Sequence, residues 1–191
     1  MFSLNIAIGA CMKNGFTLLE LLITVTVLGI LIAFSAPNFG QMSVKVKLKN
    51  LHEELADMVM MSRSEAVSRN TSVYLHFLGL EKNVSNKNGS FCLIVSLSAT
   101  VANCNDGTGK LYITSGEPFR GLEVTRTNEK SVIKFNRVNG RPDDIAAGSA
   151  EFEKILDAGD ANLSKIDFRM SGIGIVRACD PTGASSQYKM C

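Results

Sequence analysis

The residues of this 191-residue chain that could do chemistry fall into four sets. Glu20 is a lone carboxylate at the edge of an uncharged run, Leu21 to Val44. An ionised group beside that much hydrocarbon is costly unless it reaches water or meets a cation, so it marks a candidate site. Five cysteines (Cys11, Cys92, Cys104, Cys179 and Cys191) could form disulfides, bind zinc or supply a nucleophile. Asp143, Asp144, Glu151, Glu153, Asp157 and Asp160 read as an acidic loop of the oxygen donors that calcium prefers. Arg169, Arg177 and Lys189, opposed by Asp180, are the residues that could meet phosphates near the end of the chain.

The surroundings of these residues close most of those options. A catalytic cysteine needs a histidine base and a group to orient it. The chain has two histidines, His52 and His76, and His76 sits in a strand-like alternation. Two histidines also argue against a multi-histidine metal centre, and the cysteines lack the close pairs of a zinc site. The acids follow no ordered calcium template, so they read as a solvated loop. There is no phosphate-binding loop or nucleophile elbow, and Ser171-Gly172-Ile173-Gly174 is too short for a dinucleotide fingerprint. The expectation is a non-enzymatic protein with no cofactor and no metal. Twenty basic and 18 acidic side chains leave a net charge of +2, too even for strong nonspecific attraction to nucleic acid. Arg120, Arg126, Lys130, Lys134, Arg137 and Arg141 alternate with glutamates and read as a solvated face.

Three kinds of element must position these groups. The core LLITVTVLGILIAFSAP lies in an apolar run long enough for the roughly 20 helical residues that cross about 30 Å of hydrocarbon. A signal peptide would bring a basic cluster and a shorter core, whereas only Lys13 precedes this one. Beyond Pro37, Leu48, Leu51, Leu55, Met58, Val59, Ser62, Ala66 and Val67 recur at steps of three and four, with charges on the other faces. That is an amphipathic helix packing on a domain, ending near Arg69 and Asn70. Pro37, with Gly29 and Gly40, predicts a bend or a melted stretch around residues 36–40. From Thr71 the period becomes two. Short strands are predicted at Val73–Phe77, Phe91–Val95, Leu111–Ile113, Leu122–Val124, Val132–Phe135, Ile166–Phe168 and Gly174–Val176. The fold class is α+β, a long N-terminal helix packed on an antiparallel β head.

Gly15-Phe16-Thr17-Leu18-Leu19-Glu20-Leu21 resembles the processing motif of type IV pilins and type II secretion pseudopilins. The resemblance implies that prepilin peptidase cuts between Gly15 and Phe16 and methylates the new Phe16 amine. Glu20 becomes the fifth mature residue, and the amine of Phe16, on its own or a neighbouring subunit, is its natural counter-charge in a packed filament. Alternatively, Glu20 lies about 6 Å from the helix start and reaches headgroup water. The implied organisation is a cleaved leader at 1–15, a transmembrane and polymerisation helix at 16–44, an amphipathic helix at 45–70 and a periplasmic head at 71–191. The leader is longer and more apolar than the family's usual one, and Met12-Lys13-Asn14-Gly15 would make a short leader of its own. Lys45, Lys47 and Lys49 follow the span, so the positive-inside rule favours an outside N-terminus. The resemblance implies the reverse, an N-terminus in the cytoplasm and a head beyond the inner membrane.

Met61-Ser62-Arg63-Ser64-Glu65-Ala66-Val67-Ser68-Arg69-Asn70-Thr71 resembles the helix end of the GspH/FimT group of minor pilins and pseudopilins. This implies assembly with other major and minor pilins or pseudopilins, on an inner-membrane platform and in contact with membrane lipid. The role expected first is a minor pilin of a type IV pilus in an initiation or tip complex. The alternatives are a type II secretion pseudopilin and a DNA-binding minor pilin of natural transformation. In the last group a Gly-Arg-x-Arg motif binds DNA, but the matching run here is Gly174-Ile175-Val176-Arg177. Ile175 replaces the first arginine, which weakens the DNA reading. Cleavage after Gly15 would remove Cys11 and leave four cysteines, with three possible pairings. Cys92 with Cys104 and Cys179 with Cys191 are expected, because each closes a short loop in an oxidising compartment.

Overall fold

The computed structural model describes residues 16–143, 145, 152–160 and 163–191, with the side chains of 34–39, 41, 163 and 164 excepted. Helix α1 runs from Leu18 to Ser68, and the chain divides into two units between Gly40 and Gln41. The backbone at 36–40 is helical, so the melted stretch expected around Pro37 is not found.

In the first unit every described side chain from Phe16 to Ala33 is exposed. Thr24 and Thr26 hide their hydroxyl donors by bonding to the carbonyls of Leu21 and Ile23, each at 2.8 Å. This is how threonine is accommodated in an apolar helix. Among the described residues, no helix is long and apolar enough to cross a membrane. The described apolar side chains of this unit stop at Ala33.

In the second unit α1 buries Leu48, Leu51, Leu55, Met58, Val59, Ser62 and Ala66. The expected stripe holds except at Val67, which is 50% exposed. The helix ends in a Schellman motif. Asn70 takes a positive φ of 50°, its N–H donates to Val67 O, and Thr71 N–H reaches back to Ala66 O.

Nine strands follow: β1 (Val73–Leu78), β2 (Ser85–Asn86), β3 (Cys92–Ser96), β4 (Lys110–Ser115), β5 (Glu123–Arg126), β6 (Val132–Phe135), β7 (Phe152–Asp160), β8 (Leu163–Ser171) and β9 (Val176–Cys179). They form two antiparallel sheets, ordered β4-β3-β1-β6 and β2-β5-β7-β8-β9. One continuous core joins the helix stripe to both sheets, through residues such as Leu75, Leu93, Phe135, Leu156 and Phe168. His52 of α1 stacks on Phe168 of β8 with ring centres 6.1 Å apart.

The largest correction is β7. The acids read as a loop include Glu153, Asp157 and Asp160, which lie on the central strand of the five-stranded sheet. Asp144 and Glu151 lie outside the described residues. Ile155, Leu156 and Ala158 are buried there, and Asp157 is buried among them. At Gly159 β8 passes so close that a Cβ would sit 2.9 Å from Lys165 Cα. A second correction is Arg126, taken for part of a solvated face. It is buried, and its guanidinium donates to the carbonyls of Leu80 and Asn128.

His76 is buried on β1, with Nε2 3.0 Å from Ser98 O. Burial pushes its imidazole below the ordinary 6.5, partly offset by that bond. Below about pH 6.5 the unfolded chain therefore holds more protons at this position than the folded one, so stability falls as pH drops from there. Aspartates held low by hydrogen bonds lose their contribution further down, Asp106 progressively from the ordinary 3.8 to its value of about 2. Thermal unfolding should shift downward between pH 6.5 and 5 in the natural chain and less in His76→Phe; equal shifts in both would refute the assignment.

Candidate assembly and binding sites

At the start of α1, Thr17 stands at the N-cap and its Oγ1 accepts the Glu20 N–H at 3.2 Å. Glu20 therefore occupies the third helical position after a threonine N-cap, where an acid favours the positive end of the helix dipole. Its side chain is exposed, and so is Phe16. The spacing of Thr17 three residues before Glu20 is a signal for this cap that the motif reading does not use. Gly15 lies outside the described residues.

The four cysteines of the head form two bridges, Cys92–Cys104 and Cys179–Cys191, with Cα separations of 6.0 and 5.0 Å. The first ties the start of β3 to the loop before β4. The second ties the end of β9 to the tail, where Asp180 N–H donates to Lys189 O at 2.9 Å and Cys191 N–H to Asp180 O at 3.1 Å. The buried Asp180 carboxylate accepts from the N–H groups of Thr182 and Ser185 and from the Thr182 hydroxyl. These bonds, the Thr182 hydroxyl first, hold its carboxyl below the usual range.

Arg169 on β8 and Arg177 on β9 are direct cross-strand partners. They line an open cleft of about 350 Å³ with Phe152, the Cys179–Cys191 bridge and Met190. Arg177 lies over the Phe152 ring, 4.4 Å from its centre, a cation–π arrangement. Arg169 is already committed to Asp167 at 3.0 Å. Lys154 Nζ sits 2.8 Å from Asp167 and 3.1 Å from Asp157. Burial alone would lower the Lys154 ammonium, but these two carboxylates raise it above its usual value. Lys189 is on the exposed tail and does not line this cleft. The Gly174-Ile175-Val176-Arg177 run forms the β8–β9 turn and the start of β9, with Gly174 at φ 76°.

With Arg169 neutralised, two cations of this set remain for phosphates, a salt slope of only about −1.8. The full chain in detergent should bind duplex DNA no better than nonspecifically, with a dissociation constant of roughly 10⁻⁶ M or weaker at physiological salt. Submicromolar binding abolished by Arg177→Ala would overturn this expectation. Among the described residues, no group of three or more His, Cys, Asp or Glu side chains is placed to hold a metal ion.

The prokaryotic N-terminal methylation motif matches residues 11–36, and the type II transport protein GspH model matches residues 52–172, more than half of the chain. The chain belongs to the GspH family. Family and fold together are those of type IV minor pilins and pseudopilins, which are structural and non-enzymatic. This GspH-family chain is similar in fold to the type IV minor pilin FimU of Pseudomonas aeruginosa, seen in two crystal forms. In one, 16% identity over 76% of this chain and 97% of FimU gives a TM-score of 0.51. In the other the identity is also 16%, the coverage 72% and 97%, and the TM-score 0.47. No curated protein sequence is significantly similar to the chain.

Proposed function

We propose that this GspH-family protein is a minor pilin of a type IV pilus, cut between Gly15 and Phe16, methylated at Phe16 and built into the fibre through its N-terminal helix, in an initiation or tip complex. The observation that carries this reading is the exposed apolar start of α1, with Glu20 in its first turn, directly inside the matched methylation motif. An exposed apolar helix needs lipid before assembly and neighbouring helices after it. Before assembly the helix anchors the chain in the inner membrane, N-terminus in the cytoplasm and head in the periplasm. The uncharged run Leu21 to Val44 and the two disulfides support this placement. Its partners are prepilin peptidase, the inner-membrane assembly platform and other pilins.

The place of Glu20 in the first turn, after the Thr17 cap, dictates the experiment. Glu20→Gln keeps the shape of the side chain and removes the charge. Both Glu20→Gln and Glu20→Ala should remain cleaved and membrane-bound, yet fall about tenfold or more in sheared fibres, the effect of roughly 1.4 kcal/mol of lost pairing. Normal incorporation of the glutamine variant would remove the Glu20 charge from the assembly role.

A second reading, a type II secretion pseudopilin, is favoured by the description of the matching family as type II transport proteins. Deletion separates the two. Loss of surface fibres with secretion intact supports the pilus, and the reverse supports the pseudopilus.

A further inference from the structure

We infer that the outer edge of β4 receives an extended, lysine- or arginine-bearing strand from a neighbouring pilin-like subunit. This inference rests on the assembly role proposed above and names one surface that the head uses in it.

The two sheets have four edge strands among the described residues: β4, β6, β2 and β9. Three of them are short or covered. Strand β6 is backed by its own return, where Asp143 N–H donates to Lys134 O at 2.8 Å and Pro142 pairs with Phe135. Strand β2 is two residues long. Strand β9 has its end pinned to the tail by the Cys179–Cys191 bridge and the bonds of Asp180. Strand β4 is six residues long, and no other described strand pairs with its outer side.

The register shows which peptide groups face outward. Gly116 N–H donates to Phe91 O at 2.7 Å, and the ladder continues as Cys92 with Ser115, Leu93 with Thr114 and Ile94 with Ile113. In an antiparallel pair the bonded positions alternate. Gly116, Thr114 and Tyr112 therefore bond inward to β3, while Ile113 and Ser115 turn their peptide groups to the open edge. Exposed edges normally carry a lysine, a proline or a bulge that blocks further pairing. Strand β4 opens on Lys110, and its pairing with β3 shifts register between Val95 and Ser96, so that end is blunted; from Leu111 to Ser115 it carries no charge and no proline, and Ile113 is 43% exposed. An uncovered edge of this kind invites strand addition.

The charge beside the edge selects the occupant. A groove of about 450 Å³ runs between β4 and α1, with Glu53, Glu54 and Asp57 on the helix wall and Ile113, Pro118 and Phe119 opposite. Glu54 accepts the Thr114 hydroxyl at 2.9 Å and so ties the two walls together. Lys49 lies 3.6 Å from Glu53, and Asp57 meets no cation among the described residues. A strand added here lays its side chains against that acidic wall, so a cation on the incoming strand is favoured and a carboxylate is repelled.

The test uses the full chain in cells that make its fibre. A photo-crosslinking phenylalanine analogue at Ile113 should join a peptide of another pilin-like subunit, with a lysine or arginine within a few residues of the linked position. Ile113→Pro removes an outward N–H without touching the ladder to β3. Asp57→Lys reverses the wall on an exposed helix face and serves where the proline variant fails to fold. Each folded variant should enter fibres about tenfold less. Overturning results are a link to a second copy of this chain, to a protein that is not pilin-like or to an acidic segment, or normal incorporation of Asp57→Lys. Absence of the unsubstituted chain from fibres would sink the assembly role and this inference with it. Presence in fibres with no Ile113 link and normal variants would sink the edge inference alone.

Discussion

Gly15→Ala is expected to leave the precursor uncut and to give the largest effect of any single substitution in this chain. The proposed cleavage would need the peptidase to bring its reacting groups against the backbone between Gly15 and Phe16, and an added Cβ would obstruct that approach. Displacing reacting atoms by about 1 Å can cost about 100-fold in rate. Intact-mass analysis of membranes should find the full leader on the alanine variant and a Phe16 terminus on the natural chain. A natural chain that starts elsewhere, or an alanine variant cut at the usual rate, would defeat the assignment. The uncut chain should also be missing from sheared fibres, because its amine is not released beside Glu20.

Phe168→Ala is expected to be the most damaging change in the head. Phe168 is wholly buried at the centre of β8, with the His52 ring of α1 stacked on it. Truncating such a side chain removes its burial and leaves a cavity, about 3–5 kcal/mol together. That is a large part of the roughly 5–15 kcal/mol that holds a typical domain. Denaturant titration of the full chain in detergent should show a much lower midpoint. Val138→Ala, at a position 77% exposed, should stay within about 0.5 kcal/mol of the natural chain. A small effect at Phe168 would mean that helix and sheet do not share this core.

The helix was legible because its apolar residues repeat at the helical period and Asn70 supplies a left-handed stop. Val67 continues the same period in sequence yet stands exposed at the end of the stripe, where neighbours and not phase decide burial. The central strand β7 was illegible for an electrostatic reason. Charges at Glu153, Lys154, Asp157 and Asp160 look solvated until Lys154 and Lys165, within 4 Å of Asp157, show that its carboxylate is matched inside the sheet. Arg126 misled in the same way, since its partners are main-chain carbonyls that carry no sequence signal. At the basic cleft, Arg169 and Arg177 are cross-strand neighbours. What composition hides is that Asp167, two residues along the same strand, already occupies Arg169. Lys189 joined them on charge alone, but the cleft does not include it.

The two disulfides do not interleave. Each joins cysteines 12 positions apart, and the second pair begins long after the first has closed. A chain that meets an oxidant from its N-terminal side can therefore seal Cys92 to Cys104 before Cys179 has emerged. Simple order of arrival then yields the native connectivity. Reshuffling, which takes seconds to hours and depends on an isomerase, has no mispaired species to correct. Oxidation of a fully reduced chain all at once loses that protection, because every cysteine competes from the first moment. On the proposed export of this head, the direction of its delivery would guide its maturation.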